Sequence, residues 1–178
     1  MKNYKEFLND KNPVCRIDMG DLGSMEVELF PEVAPITVKN FLDLVSNNFY
    51  NGIIFHRVIE GFMIQGGDPT GTGTGGSKNK IKGEFIQNGV KNELMHSRGV
   101  ISMARTMIPD SASSQFFIMH QDAPHLDGAY AAFGIVTSGI EVVDKIAASE
   151  TNRYDKPLND IVIKEIVRIR WWIQFGMN

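Results

Sequence analysis

Two helical segments stand far apart in this 178-residue chain, and most of what lies between them alternates in the manner of strand. The first opens at Pro35 and sets Val38, Phe41, Leu42 and Val45 at helical spacing, with Lys39 and Asp43 on the other side, ending near Asn47 and Asn48. The second follows Gly139 and carries Ile140, Val143, Ile146 and Ala147. Short alternating runs fill the rest: Val14–Asp18, Ser24–Phe30, one or two strands within 55–68, Arg98–Ala104, Ser114–Met119, Ala131–Val136 and Ile161–Ile169. The first two flank a turn-rich Met-Gly-Asp-Leu-Gly and read as a β-hairpin. A doubly wound parallel sheet needs helices between successive strands, and they are missing. The pattern therefore predicts a mostly β, mostly antiparallel barrel with a helix over each open end. Residues 69–92 read as loop, every position from Thr70 to Ser77 being Gly, Thr or Ser. A 43% hydrophobic content suits one domain spanning residues 1–178.

A net charge of −3 with no basic block argues against non-specific nucleic-acid binding. The single Cys15 excludes an internal disulfide or a cysteine-based metal site and reads as a buried thiol in a reducing compartment. Met1–Asp10 lacks an apolar run, so no signal peptide or membrane span is expected, and a cytoplasmic location is. The stretch from Gly71 to Gly76 matches G-x-G-x-x-G formally but does not open a helix, so a phosphate cradle is not expected there. Cys15, Ser111, Ser113 and Ser114 lack the context of a nucleophile, and His96, His120 and His125 show no ligand spacing, so each histidine reads as structural.

The chemistry concentrates in Phe55–Asp68, where strand alternation puts Phe55, Arg57 and Ile59 on one face. An always-charged guanidinium beside apolar groups needs hydrogen bonds, and Gln65 and Gln115 are its natural partners. The bland reading is an Arg snorkelling out of a sheet edge. Around Arg57 the aromatics and aliphatics Phe62, Met63, Leu126, Tyr130 and one of Phe116 or Phe117 describe either a concave apolar site or simply the barrel core.

Phe55-His-Arg-Val-Ile-Glu-Gly-Phe-Met-Ile-Gln-Gly-Gly-Asp68, Gly71-Thr-Gly-Thr-Gly-Gly76, Ser102-Met-Ala-Arg105, Ser113-Ser-Gln-Phe-Phe-Ile118 and Leu126-Asp-Gly128 through Phe133-Gly134 resemble, in order and spacing, the cyclophilin peptidyl-prolyl cis-trans isomerases, particularly bacterial ones. The resemblance covers about 14–169 and implies a closed eight-stranded antiparallel β-barrel capped by two α-helices. It makes Arg57 the catalytic side chain, oriented by Gln65, and Phe62, Met63, Phe117 and Leu126 the walls of a proline pocket. Ala104, the backbone of Arg105, Gln115 and the loop from Gly71 to Thr74 would bind the peptide on either side, with His56 adjoining. Proline-containing peptides and unfolded proteins are the implied partners of a monomer that needs no metal or cofactor. His125 stands where many eukaryotic members carry a Trp that contacts cyclosporin, so reduced drug affinity is expected. Tyr130 and Arg105 replace His and Asn of those members, and Glu60 replaces a common Pro without an assigned role. Residues 170–178, with two Trp, an Ile and a Phe, have no counterpart and are expected by default to pack over the barrel, the alternative being to engage a partner. The competing readings are a proline-peptide binding or chaperone module in which turnover is incidental, and a nucleotide-dependent enzyme built on the Gly/Thr loop.

Overall fold

The computed structural model describes residues 1–170, so the expectation for 171–178 lies outside the described residues. Eight strands form one antiparallel sheet: β1 (Val14–Asp18), β2 (Ser24–Leu29), β3 (Phe55–Ile59), β4 (Met63–Gly66), β5 (Val100–Met103), β6 (Phe116–Met119), β7 (Ala132–Ser138) and β8 (Glu165–Arg170). The helices are α1 (Pro35–Ser46) and α2 (Ile140–Ala147). The expected β1–β2 hairpin forms, pairing Val14 with Glu28 and Asp18 with Ser24. Ile161–Ile163 precede β8 rather than belonging to it.

Closure differs from the expectation. The strand order is β3-β4-β6-β5-β7-β2-β1-β8, an open half-barrel whose end strands β3 and β8 do not pair. The chain entering each of them meets instead, through the bridge between Ile54 and Val162 and the bonds Ile163 N to Ile53 O and Phe55 N to Ile161 O, both 2.9 Å. Further along, the turn at 152–156 lies against β3, Val58 N donating to Asp155 O at 2.8 Å.

The interior is aromatic. Phe41 of α1 meets Tyr50, Phe116 and Phe133 with ring centroids 5.2–5.8 Å apart, and the Tyr50 hydroxyl, fully buried, donates to Ser114 O at 2.9 Å. The N-terminus of α1 has no side-chain cap of its own; Glu84, reaching from the long loop, accepts from Thr37 N (2.6 Å) and Thr37 Oγ1 (2.7 Å) and places a carboxylate at the positive end of the helix. Helix α1 lies against β8, and α2 against β2, β3 and β4. Gly139 precedes α2 in the left-handed region, φ +84°, where a Cβ would run into the Ser24 carbonyl. Cys15 is fully buried, and burial pushes its thiol up to about 12, so it is inert at neutral pH.

Candidate active site

Alternation alone put Phe55 and Arg57 on the same face of β3, and the structure corrects this. Phe55 pairs with Gly66 and Arg57 with Gln65, so two steps along β3 match one along β4, and His56 is the extra residue of a bulge. A bulge re-aims the side chains on either side of it. Phe55 is consequently in the core and Arg57 exposed, facing Gln65 across the hairpin.

A linear relay follows from that register. Arg57 Nη1 donates to Gln65 Oε1 at 3.3 Å, and Gln65 Nε2 donates to Gln115 Oε1 at 2.9 Å. Gln115 Nε2 in turn donates to the carbonyls of Gly73 (3.0 Å) and Gly75 (2.8 Å). Gln65 thus contacts Arg57 directly, whereas Gln115 acts one step removed. The Gly/Thr loop at the end of the relay is folded around Asp68, whose carboxylate accepts from Thr70 N, Thr70 Oγ1, Gly73 N and Gly75 N at 2.7–3.0 Å. Burial opposes the charged form, but these bonds outweigh it and lower the Asp68 pKa to about 2. The loop amides are spent on an internal carboxylate, which is why the glycine pattern makes no phosphate cradle. Gly67 lets the chain turn into this loop at φ +94°, where a Cβ would lie 2.5 Å from Ser114 O.

Three cavities meet at Gln65. The central one, about 140 Å³, is a cup lined by Arg57, Phe62, Met63, Gln65, Ala104, Arg105, Phe117, Leu126 and Tyr130. To one side a groove of about 440 Å³ runs between the Gly/Thr loop, Gln115 and residues 104–106. To the other a cavity of about 400 Å³ holds His56, Gly71 and the turn at 152–156. The structure therefore brings nine predicted residues to one cup, puts Gln115 in the first flank, and puts His56 and Gly71 in the second. His125 lines none of the three and instead lies beside Phe62, rings 5.7 Å apart. A groove of about 570 Å³ between residues 9–13 and α1 carries none of the predicted side chains.

The adjacent phenylalanines separate as a strand requires. Phe116 is fully buried, edge-on to Phe41, Tyr50 and Phe55, while Phe117 faces the cup. Behind Phe117 lies a support that spacing gave no sign of: His96 stacks on the ring, with Nε2 2.8 Å from Ser102 Oγ and Nδ1 3.1 Å from Asp127 Oδ1. An ionised Asp127 can only accept, so Nδ1 carries the proton and Nε2 accepts from Ser102. Burial lowers the His96 pKa, Asp127 acting against it. The set has the residue types of an acyl-transfer triad, yet Ser102 is fully buried and cannot meet a substrate. His120 is structural as well, its Nδ1 accepting from Gly61 N at 2.8 Å and its Nε2 lying 3.1 Å from Asp144.

Arg105 was expected to contribute its backbone, and its side chain turns out to be occupied internally. The guanidinium lies 4.7 Å from the Phe85 centroid and 4.6 Å from that of Tyr130, and donates to Ala129 O (2.6 Å) and Thr106 O (2.9 Å). Among the described residues, no cluster of three His, Cys, Asp or Glu could hold a metal ion, and no helix is long and apolar enough to cross a membrane.

This fold with this cup defines a class. The family model described as "Cyclophilin type peptidyl-prolyl cis-trans isomerase/CLD" matches residues 14–168, and the chain belongs to that family. It is 49% identical over 154 residues to a peptidyl-prolyl cis-trans isomerase of Acinetobacter baylyi, spanning 84% of this chain and 79% of the relative. It is 47% identical over 148 residues to human peptidyl-prolyl cis-trans isomerase-like 3, spanning 82% and 90%. Among solved structures, a cyclophilin type peptidyl-prolyl cis-trans isomerase of Cryptosporidium parvum superposes with a TM-score of 0.82 at 36% identity, covering 89% of this chain and 98% of that one. The same parasite protein solved in the presence of the dipeptide Ala-Pro gives a TM-score of 0.80.

Proposed function

We propose that the chain accelerates cis-trans rotation of X-Pro bonds in peptides and unfolded proteins, with the proline ring in the cup and Arg57 acting on the bond. The carrying observation is that Arg57 is exposed in a cup it shares with Phe62, Met63, Phe117 and Leu126, with one hydrogen bond, to Gln65, leaving most of its five donors available. The presence of Ala-Pro with the Cryptosporidium relative supports the choice of ligand.

The chemistry asks for such a group. Rotation about an X-Pro bond breaks amide resonance against a barrier of about 18–20 kcal/mol and takes tens to hundreds of seconds. As the C–N bond twists, its nitrogen regains a lone pair and becomes an acceptor. Arg57 donating there stabilises the twisted state and hardly touches the planar one, which is the condition for catalysis. Phe62, Met63, Phe117 and Leu126 fix the ring and exclude the water that favours the planar amide. Shortening ~100 s to milliseconds takes about 7 kcal/mol, within reach of a charge-assisted bond combined with orientation. The action is cytoplasmic, and cyclosporin binds weakly because His125 replaces a larger ring.

The test is exchange spectroscopy on a short Ala-Pro peptide with the wild type and Arg57→Ala. Fast exchange with the wild type and slow exchange with the variant, at peptide affinities within a few fold of each other, is the expected result. Binding shifts without exchange in the wild type would make the chain a proline-peptide binding module instead.

A further inference from the structure

The cavity on the far side of Arg57 has a composition that the bond rotation does not call for. It is continuous with the cup, because Arg57 and Gln65 line both. Its outer wall is the turn 152–156, built before any ligand arrives: Asn152 Oδ1 accepts from Tyr154 N (2.8 Å) and Lys156 N (3.2 Å), Asn152 N donates to Lys156 O (2.8 Å), and Val58 N ties the turn to β3 beside Arg57. Its charges are of one sign. Arg57 and Lys156 line it, Lys156 has no ion-pair partner among the described residues, and Arg153 stacks on the lining Tyr154 at 4.8 Å. The acid that acts on His56, Asp68, has its carboxylate capped by the loop, and Asp155, the acid of the turn, is not part of the lining.

His56 adds an independent sign. It is 6% exposed, it lines this cavity, and neither ring nitrogen has a hydrogen-bond partner among the described residues. The imidazole is thus a wall of the recess, enclosed by its neighbours, and its low exposure keeps the recess poorly solvated.

We infer that this cavity is a specificity subsite for an anionic side chain flanking the proline, held by Lys156 and Arg57 against the wall formed by His56. The inference rests on the proposed X-Pro reading. It makes the protein selective among proline segments by charge, since an acidic flank is attracted into a preformed basic recess and a basic flank is repelled by it.

The experiment uses the full chain and a set of Ala-Pro peptides with Glu, Gln or Lys at each of three positions on either side. At low salt, Glu at one position should raise kcat/KM about fivefold over Gln, with Lys below Gln, the gap narrowing in high salt. Lys156→Glu should bring the Glu-to-Gln ratio to one or below, while Lys156→Arg keeps it above one. A ratio of one at every position in the wild type at low salt overturns the subsite while leaving the isomerase reading intact. Absence of exchange with the neutral peptide overturns the reading instead, and the subsite is then decided by titration: tighter binding of a Glu peptide than its Gln counterpart, with shifts at the His56 ring, supports it, and equal binding rejects it.

Discussion

Two arginines line the same cup and are held in contrasting ways. On the β3–β4 side, Arg57 is exposed and makes a single 3.3 Å bond, to a glutamine that is itself steadied by Gln115 and the Gly/Thr loop. On the side formed by residues 104–105 and 126–130, Arg105 lies between two aromatic rings and donates to two backbone carbonyls. The same side chain is positioned with its guanidinium open in one wall and enclosed by rings and carbonyls in the other. Charge alone does not distinguish a reacting arginine from a structural one; what matters is whether the fold leaves the guanidinium open or closes around it.

The sharpest way to break this comparison is to remove each guanidinium in turn. Arg57→Ala is expected to lower kcat/KM by about 10²–10³, or about 3–4 kcal/mol of transition-state stabilisation, with little change in melting temperature. Arg57→Lys should recover only part of it, since a point charge lacks the planar fork. A loss appearing as KM with kcat intact would make Arg57 a binding group and remove the contrast.

Next in size is the support of the Arg57 wall. Asp68→Ala leaves Gly73 and Gly75 amides without their acceptor and frees the loop on which Gln115 leans; about 2 kcal/mol of stability should go. Acid does the same reversibly. The folded carboxyl titrates at about 2 against an ordinary 3.8, so the unfolded chain binds the proton first; stability is complete above pH 4 and is lost as pH falls toward 2. Amide exchange at Gly73 and Gly75 should rise across that window before exchange at Ala104 does, because Arg105 itself is clamped by backbone carbonyls and aromatic rings rather than by a carboxylate. Simultaneous loosening of both walls would count against the separation.

How much of this was legible beforehand can be judged residue by residue. The β1–β2 hairpin, both helices and the opposed directions of Phe116 and Phe117 follow from period and alternation, which are local. The bulge at His56 does not: it is set by how β3 and β4 pair, and without it Phe55 and Arg57 were assigned to one face. The openness of the sheet escaped for a similar reason, since it depends on a turn a hundred residues away reaching the edge of β3. Asp68 had a local signal, an aspartate just ahead of a Gly/Thr run, where Asx turns are common. The His96–Asp127 pair, 31 residues apart, and the Phe85 ring under Arg105 had none.

Arg105→Leu sharpens the comparison from the other side. Losing two cation–π contacts and two carbonyl bonds should lower stability by about 1–2 kcal/mol, measured by urea unfolding. As Tyr130 and Ala104 share its wall of the cup, KM for Ala-Pro peptides should rise a few fold while kcat holds. A fall in kcat comparable to that of Arg57→Ala would show that the clamp was no mere clamp.

The smallest effect separates the two histidines that back these walls, His56 beside Arg57 and His96 behind Phe117. Burial lowers both below the ordinary histidine value of 6.5, with nearby carboxylates opposing. A group whose folded pKa is depressed is neutral in the native state while the unfolded chain already takes a proton, so stability is complete above pH 6.5 and declines as pH falls below it. His56 has no hydrogen bond to lose, so His56→Gln should flatten part of that decline at little expense at pH 7.5. His96→Gln breaks bonds to both Ser102 and Asp127, so it should flatten the decline only by lowering stability at every pH. Urea unfolding of the two variants between pH 5 and 7.5 reads this directly. Identical pH profiles would mean that His56 is as firmly held as His96, and would remove the contrast between the two walls.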